Sequence, residues 1–77
     1  MIHFYKRYKI IEFGIVYAVN ENSSGRQFFK LNGKYHRETG PAIVDRNGEV
    51  YWYLNGEKID CTTQAEFEQL MRLKAFW

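Results

Sequence analysis

The triplet His36-Arg37-Glu38 joins three side chains that are able to do acid-base or recognition chemistry. An imidazole exchanges a proton near neutral pH, and a guanidinium presents a fork of donors that matches a carboxylate or a phosphate. Two roles are open: Arg37 recognises an anionic partner, or His36 and Arg37 brace the following Gly40-Pro41 turn by bonding to backbone carbonyls. We favour the bracing role, because residues that belong to a repeat usually encode its shape.

The other candidates for chemistry are His3, His36 and the single cysteine, Cys61. They show neither C-x-x-C nor H-x-x-x-H spacing, so the sequence predicts no metal site. No third group completes a Cys-His pair, and no glycine-rich phosphate loop precedes a helix. A lone cysteine excludes an intramolecular disulfide and is typical of a reducing compartment. The sequence therefore predicts a cytoplasmic protein that is not an enzyme and needs no cofactor.

Composition limits what can position these residues. Seventy-seven residues make one small domain, in which 18% of the residues are aromatic and supply the large buried surfaces that a short chain needs. The net charge is only +2, which is low for a dedicated nucleic-acid-binding domain. The charge is uneven, since residues 1–37 carry seven basic and two acidic side chains, and residues 38–77 carry four and seven.

The first third of the chain predicts two strands. Residues 2–11 alternate in part between polar and apolar side chains, and residues 15–19 form a second β-prone run. Residues 20–25 are polar and rich in turn formers, which predicts a loop. The apolar stretch of residues 10–19 is too short to cross a bilayer as a helix, so we expect no membrane partner.

Three Asn-Gly pairs follow within 25 residues: Asn32-Gly33, Asn47-Gly48 and Asn55-Gly56. Both residues of such a pair tolerate the positive φ that a type I′ turn requires. Three of these pairs between extended segments predict an antiparallel meander.

The end of the chain changes its period. Thr63-Gln-Ala-Glu66 matches a capping box, and the following apolar residues recur at helical spacing. We therefore predict an amphipathic helix over about residues 64–75, packed on one face of the sheet. The residues expected in the core are Trp52, Phe28, Phe67, Leu70 and Met71.

The predicted fold is a single α+β domain over residues 1–77. An antiparallel β-meander of about five or six strands carries one C-terminal amphipathic helix. It divides into N-terminal strands and loop (1–26), a hairpin repeat region (27–60) and the helix (63–76).

Part of the hairpin region is repeated. Residues 30–34 (Lys-Leu-Asn-Gly-Lys) align with residues 53–57 (Tyr-Leu-Asn-Gly-Glu). Each copy is too small to bury its own apolar face, so the copies must pair or stack.

The first copy continues, over residues 32–43, as Asn-Gly-Lys-Tyr-His-Arg-Glu-Thr-Gly-Pro-Ala-Ile. This run resembles the NGK-x-HR-x-x-GPA repeat of small bacterial and bacteriophage proteins, loosely related to MORN-type repeats. The resemblance covers about residues 28–60, and the second copy departs from it at residues 57–60. It implies a β-hairpin array without established catalytic activity, in a phage or prophage accessory protein. Its expected partner is a bacterial host protein or complex in the host cytoplasm, such as a defence system that the protein inhibits.

Two kinds of partner fit the remaining residues. For a protein partner, the expected contacts are the aromatic and guanidinium side chains typical of interface hot spots: Tyr51, Tyr53, Arg37 and Tyr35. The alternative is a single-stranded or RNA-type nucleic acid, bound by the basic and aromatic N-terminal strand. Its phosphates would contact Arg7, Lys9 and Lys34. A homodimer is a further way for a small chain to cover surplus aromatic surface.

Overall fold

The computed structural model describes residues 6–74. The first part of the strand predicted over residues 2–11, including His3, and the last residue of the predicted helix, Ala75, lie outside the described residues. No helix within this range is long and apolar enough to cross a membrane. The elements are β1 (Lys6–Glu12), β2 (Ile15–Glu21), β3 (Gln27–Leu31), β4 (Lys34–Tyr35), β5 (Ile43–Val44), β6 (Val50–Tyr51), β7 (Tyr53–Leu54), β8 (Glu57–Lys58) and α1 (Gln64–Lys74).

The strands form an antiparallel sheet of six strands and a separate hairpin. The main sheet has the order β1-β2-β3-β5-β6, and β4 also pairs with β3 beyond the end of β5. The strands β7 and β8 pair only with each other. Together with the C-terminal helix, this confirms the predicted small α+β domain built on antiparallel hairpins.

The Asn-Gly turns divide into two kinds. Asn32 and Asn55 have φ of 53° and 52° and are followed by glycines at 78° and 84°, which are the paired positive φ values of type I′ turns. Asn47-Gly48 differs, because only Gly48 has a positive φ, 94°. There a three-residue loop closes with Asp45 and Glu49 hydrogen-bonded at 2.8 Å.

Another turn lies at Gly14, where a glycine between two predicted strands indicated a bulge or a tight bend. Phe13 and Gly14 have φ of 50° and 81° and connect β1 to β2 as a two-residue turn. Phe13 is 92% exposed at this tip. The tight bend is therefore the correct alternative. The sequence did not indicate its type, because type I′ turns usually hold Asn, Asp or Gly where Phe13 lies.

The helix begins at the predicted capping box. The Glu66 N–H donates to the Thr63 hydroxyl at 3.2 Å, and the Glu66 carboxylate accepts from the hydroxyls of Thr62 and Thr63. These hydroxyl bonds lower the pKa of Glu66, that of Thr62 most. The helix therefore starts where the sequence predicted, with Thr62 as an additional partner.

The core has two apolar clusters. Tyr17, Val19, Phe29 and Ala42 form one below the main sheet, and Trp52, Leu54 and Phe67 form the other below the helix. The Trp52 and Phe67 rings stack with centroids 6.2 Å apart. Trp52 also donates its indole N–H to Gln64 at 3.0 Å, so the helix packs on this second cluster.

Two of the five predicted core residues lie elsewhere. Leu70 is 41% exposed and lines an open groove between α1 and the hairpin β7–β8. Phe28 is half-buried on the other face of the sheet, because Phe29 takes the inward position and successive strand residues point to opposite faces. Trp52 and Phe67 are buried and Met71 is half-buried, as the helix and strand periods predicted.

Candidate binding face

The motif segment lies on one face of the main sheet, where the Arg37 guanidinium lies over the ring of Phe29. We call the opposite face, which carries Phe28 and Lys30, the open side. The open side begins at β3 and β4, where Lys30 lies directly opposite Tyr35. Phe28, two residues before Lys30, lies opposite Ile43 of β5, which in turn lies opposite Tyr51 of β6. Pairing across the strands therefore sets these side chains in adjacent rows on one face.

Aromatic rings and cations alternate across this surface. The Phe28 and Tyr35 rings stack with centroids 5.7 Å apart, and Tyr35 meets Tyr53 edge-on at 5.4 Å. Tyr53 lies opposite Lys58 in the hairpin β7–β8. The two sheets thus share one continuous surface.

Three cations complete a circuit of neighbouring rings and cations on this surface. The Lys58 ammonium lies 5.2 Å from the centre of the Tyr51 ring. The Arg26 guanidinium lies 6.0 Å from the same ring and 5.3 Å from the Phe28 ring, and the Lys30 ammonium lies 5.3 Å from Tyr35. These are cation–π distances. We call this set the aromatic–basic face: Arg26, Phe28, Lys30, Tyr35, Tyr51, Tyr53 and Lys58.

Two predicted nucleic-acid contacts extend this face across β2. Lys9 lies opposite Ala18, and Ala18 lies opposite Lys30 on the other side. Arg7 likewise lies opposite Asn20, and Asn20 lies opposite Phe28 on the other side. Both cations are exposed.

Two carboxylates contact members of this face, one at Arg26 and one at Tyr51. Asp45 lies 3.8 Å from the Arg26 guanidinium, and Glu49 accepts a hydrogen bond from the Tyr51 hydroxyl at 3.0 Å. That hydrogen bond raises the pKa of Tyr51, and the negative charge of Glu49 adds to the shift. Among residues 6–74, Arg7 and Lys9 have no carboxylate within ion-pair distance. The surface is therefore cationic around its aromatic rings.

Arg37, also predicted as a partner contact, lies on the opposite side of the sheet. Its guanidinium donates to the Glu12 carboxylate at 2.9 and 2.8 Å and to the Pro41 carbonyl at 3.3 Å, and it lies 4.0 Å from the centre of the Phe29 ring. Thr39 donates to the same carboxylate at 2.8 Å. These hydrogen bonds, that of Arg37 most, outweigh burial and hold the pKa of Glu12 below its ordinary value.

His36 is 5% exposed and joins three segments of the chain. Its Nδ1 accepts the backbone N–H of Asn55 at 2.9 Å, so the neutral ring carries its proton on Nε2, which lies 3.1 Å from the Glu38 carboxylate. The Tyr17 hydroxyl accepts the Glu38 N–H at 3.1 Å. Arg37 bonds to the Pro41 carbonyl, as the bracing role predicted, whereas His36 bonds to the Asn55 N–H and to Glu38 and to no carbonyl of the Gly40-Pro41 turn.

Lys34 is separated from the other predicted contacts. It lies opposite Leu31, one position away from the pair formed by Lys30 and Tyr35. A shift of one residue along a strand turns a side chain to the other face. Lys34 instead lies beside Gly56, at the end of the chain's third Asn-Gly turn.

The sequence suggested Lys30, together with Lys34, Tyr35 and Arg37, as an extension of the basic N-terminal strand. It missed three members of the face as site residues: Arg26, Phe28 and Lys58. A signal existed for Lys58, because a type I′ turn at Asn55-Gly56 makes Lys58 the direct neighbour of Tyr53. No local pattern marks Arg26, whose position depends on the packing of β3 against β5 and β6.

Metal-ligating side chains do not cluster within the described residues. No group of three His, Cys, Asp or Glu side chains within residues 6–74 is arranged to hold a metal ion. Cys61 packs half-buried beside Trp52 and Leu54. Burial raises the pKa of its thiol, and the nearby carboxylates add to the shift, which opposes formation of a nucleophilic thiolate.

Comparison with known proteins gives no relative: no family model, no curated protein and no solved structure matches this chain. The resemblance to phage-type repeats therefore stays a prediction from residues 32–43.

Proposed function

We propose that this protein is a non-enzymatic binding module that docks onto an acidic surface of a protein partner through the aromatic–basic face. One observation carries the proposal: the circuit of rings and cations over two sheets, in which three cations face two carboxylates, Asp45 and Glu49. Tyrosine and arginine are enriched where protein interfaces concentrate their binding energy. The predicted contacts Tyr35, Tyr51 and Tyr53 all belong to this circuit.

The arrangement of the rings favours a protein over a nucleic acid. Single-stranded nucleic acids bind by stacking bases on open aromatic faces. Here Arg26 and Lys58 lie over Tyr51, and Lys30 lies over Tyr35. A ring that lies under a cation restrains that cation in a position from which it can bind a carboxylate. Complementary charge also speeds and orients docking.

The resemblance of residues 32–43 to phage and bacterial repeats supports a bacterial host protein or complex as the partner. A chain of this size acts most simply by covering a surface that its partner uses, which is inhibition by occlusion. The proposed setting is therefore the host cytoplasm, and a defence complex is one candidate target.

Affinity capture from bacterial lysate tests this proposal. We expect the full chain to retain a discrete host protein after nuclease treatment. The double variant Lys30→Glu/Lys58→Glu should weaken that capture by about tenfold or more, as expected when two interface charges are reversed. The matched control Lys34→Glu/Arg72→Glu makes the same change in net charge on exposed residues outside the face and should bind like the parent chain.

Circular dichroism must show that both double variants stay folded. Equal capture by the face variant and its control would contradict the proposal. Capture that disappears with nuclease would support the nucleic-acid alternative, in which Arg7 and Lys9 carry the binding.

A further inference from the structure

The outer edge of β1 continues the aromatic–basic face and is not paired with any described strand. We propose that this edge binds an extended acidic segment of the protein partner as an added antiparallel strand. The inference rests on the proposed function, since it names how the partner's chain approaches the same surface. Strand addition of this kind gains affinity from main-chain hydrogen bonds and specificity from alternate side chains.

The register of β1 and β2 decides which backbone groups are available. A two-residue type I′ turn makes its flanking residues, Glu12 and Ile15, a hydrogen-bonded pair. Hydrogen-bonded and non-hydrogen-bonded pairs alternate along an antiparallel ladder. The N–H and C=O groups of Ile11, Lys9 and Arg7 therefore point outward, away from β2.

The same three residues put their side chains on the open face. Arg7 and Lys9 are exposed without a carboxylate partner among residues 6–74, and Ile11 is 71% exposed. An added antiparallel strand has an apolar residue opposite Ile11 and acidic residues opposite Lys9 and Arg7. Its pattern, read from its N-terminus, is apolar-x-acidic-x-acidic.

The edge is long and well supported for this purpose. β1 has seven residues, more than β3 and as many as β2, and it holds no proline. Arg37 and Thr39 fix its Glu12 end, and Gln27 donates to the Tyr8 hydroxyl at 3.2 Å. Because Arg37 occupies the Glu12 carboxylate, the acid in β1 does not repel an acidic strand at full strength.

Charge argues against a second copy of this chain as the added strand. The outward positions of β1 are Arg7, Lys9 and Ile11, so no register between two copies sets a carboxylate opposite Arg7 or Lys9. Lysine on an edge strand is a known device against self-association. The same cations attract an acidic strand, so the edge selects its partner by charge.

A peptide titration tests the proposal directly. The probe is a synthetic peptide with the core Val-Thr-Glu-Thr-Glu flanked by threonines, added to the full ¹⁵N-labelled chain. We expect the backbone amides of Arg7, Lys9 and Ile11 to shift and to exchange more slowly with solvent. N-methylation of the core valine and both glutamates removes the donors that face β1 and should weaken binding by about tenfold or more, since several hydrogen bonds are lost.

The matched control is the same peptide N-methylated at the two core threonines, whose amides point away from β1. It should bind like the unmodified peptide. Equal loss or equal retention for the two methylated peptides, or no binding up to millimolar peptide, would overturn strand addition. The proposed function would still stand if the Lys30→Glu/Lys58→Glu variant lost its captured protein, so the two failures are distinguishable.

Discussion

The hairpins β3–β4 and β7–β8 have the same type of Asn-Gly turn and different means of support. At β3–β4 the side chains of His36 and Arg37, which follow the turn, make polar contacts with Asn55 and Glu12. At β7–β8 the support is apolar, because Trp52 and Leu54 pack against Phe67 of the helix. One turn sequence is thus compatible with either a polar network or an aromatic cluster.

The hairpins also hold each other. The Gly56 N–H donates to the Tyr35 carbonyl at 2.9 Å, and the Arg37 N–H donates to the Tyr53 carbonyl at 3.3 Å. Tyr35 and Tyr53 are members of the aromatic–basic face, so the spacing of that face depends on this junction. The comparison therefore bears on binding as well as on stability.

The largest effect is expected from breaking the apolar support. Phe67 has no exposed surface, and truncating a buried phenylalanine to alanine costs about 3–5 kcal/mol. Phe67→Ala should therefore leave much of this small domain unfolded, as followed by circular dichroism and urea denaturation. Phe67→Leu, which keeps most of the volume, should fold and lose clearly less stability. Equal midpoints for Phe67→Ala and the parent chain would refute the role of this cluster.

Breaking the polar support should cost less. The side chains of Arg37 and Glu12 are 20% and 22% exposed, so removing the guanidinium leaves a partly buried carboxylate without its partner. We expect Arg37→Met to lose about 2 kcal/mol in urea denaturation. Adding Glu12→Gln should recover part of that loss, because the unpaired charge is removed. If the stability lost by the double variant equalled the sum of the losses of the two single variants, the coupling of this pair would be contradicted.

The same pair predicts how stability depends on pH. The pKa of Glu12 is lowered in the folded chain, so its contribution is complete above the ordinary pKa of a glutamate. It is lost as the pH falls through the lowered folded pKa. Urea midpoints measured at falling pH should therefore decline less steeply for Glu12→Gln than for the parent chain. Parallel declines would show that Glu12 is not the group responsible.

The smallest effect is expected at the turns, where the two hairpins are alike. Asn32 and Asn55 both have φ near 50°, a conformation in which alanine is less favourable than asparagine. Asn32→Ala and Asn55→Ala should each lower the free energy of unfolding by a similar amount, about 1 kcal/mol. The hydrogen bond from Asn55 to His36 is kept in Asn55→Ala, because its donor is the backbone N–H. A much larger loss at Asn55 alone would show that its side chain has a further role.

The sequence predicted the parts of this fold that depend on neighbouring residues. Asn32-Gly33, Asn55-Gly56 and the Thr63 cap each place their own chemistry within a few residues, and each lies where expected. The meeting of Glu12 with Arg37 was not predictable, because it joins positions 25 residues apart through the packing of the whole sheet.

The residues of the candidate site also divide into those that neighbouring residues predict and those that depend on strand register. Alternation along β6 and β7 placed Tyr51 and Tyr53 opposite to Trp52. It did not show that Lys30 and Lys34, which both appeared to extend the basic strand, lie on different faces, since that depends on the register across the β3–β4 turn.

The open edge of β1 has a further consequence during synthesis. β1 and β2 leave the ribosome before the segment that supplies Arg37, so their hairpin forms while its supporting contacts are still being made. Hairpins close in microseconds, whereas translation adds about 5–20 residues per second. During that interval Lys6, Arg7 and Lys9 are the main protection of an unfinished strand against neighbouring nascent chains. The charges that we propose to select a partner strand are thus also placed to oppose aggregation of the incomplete chain.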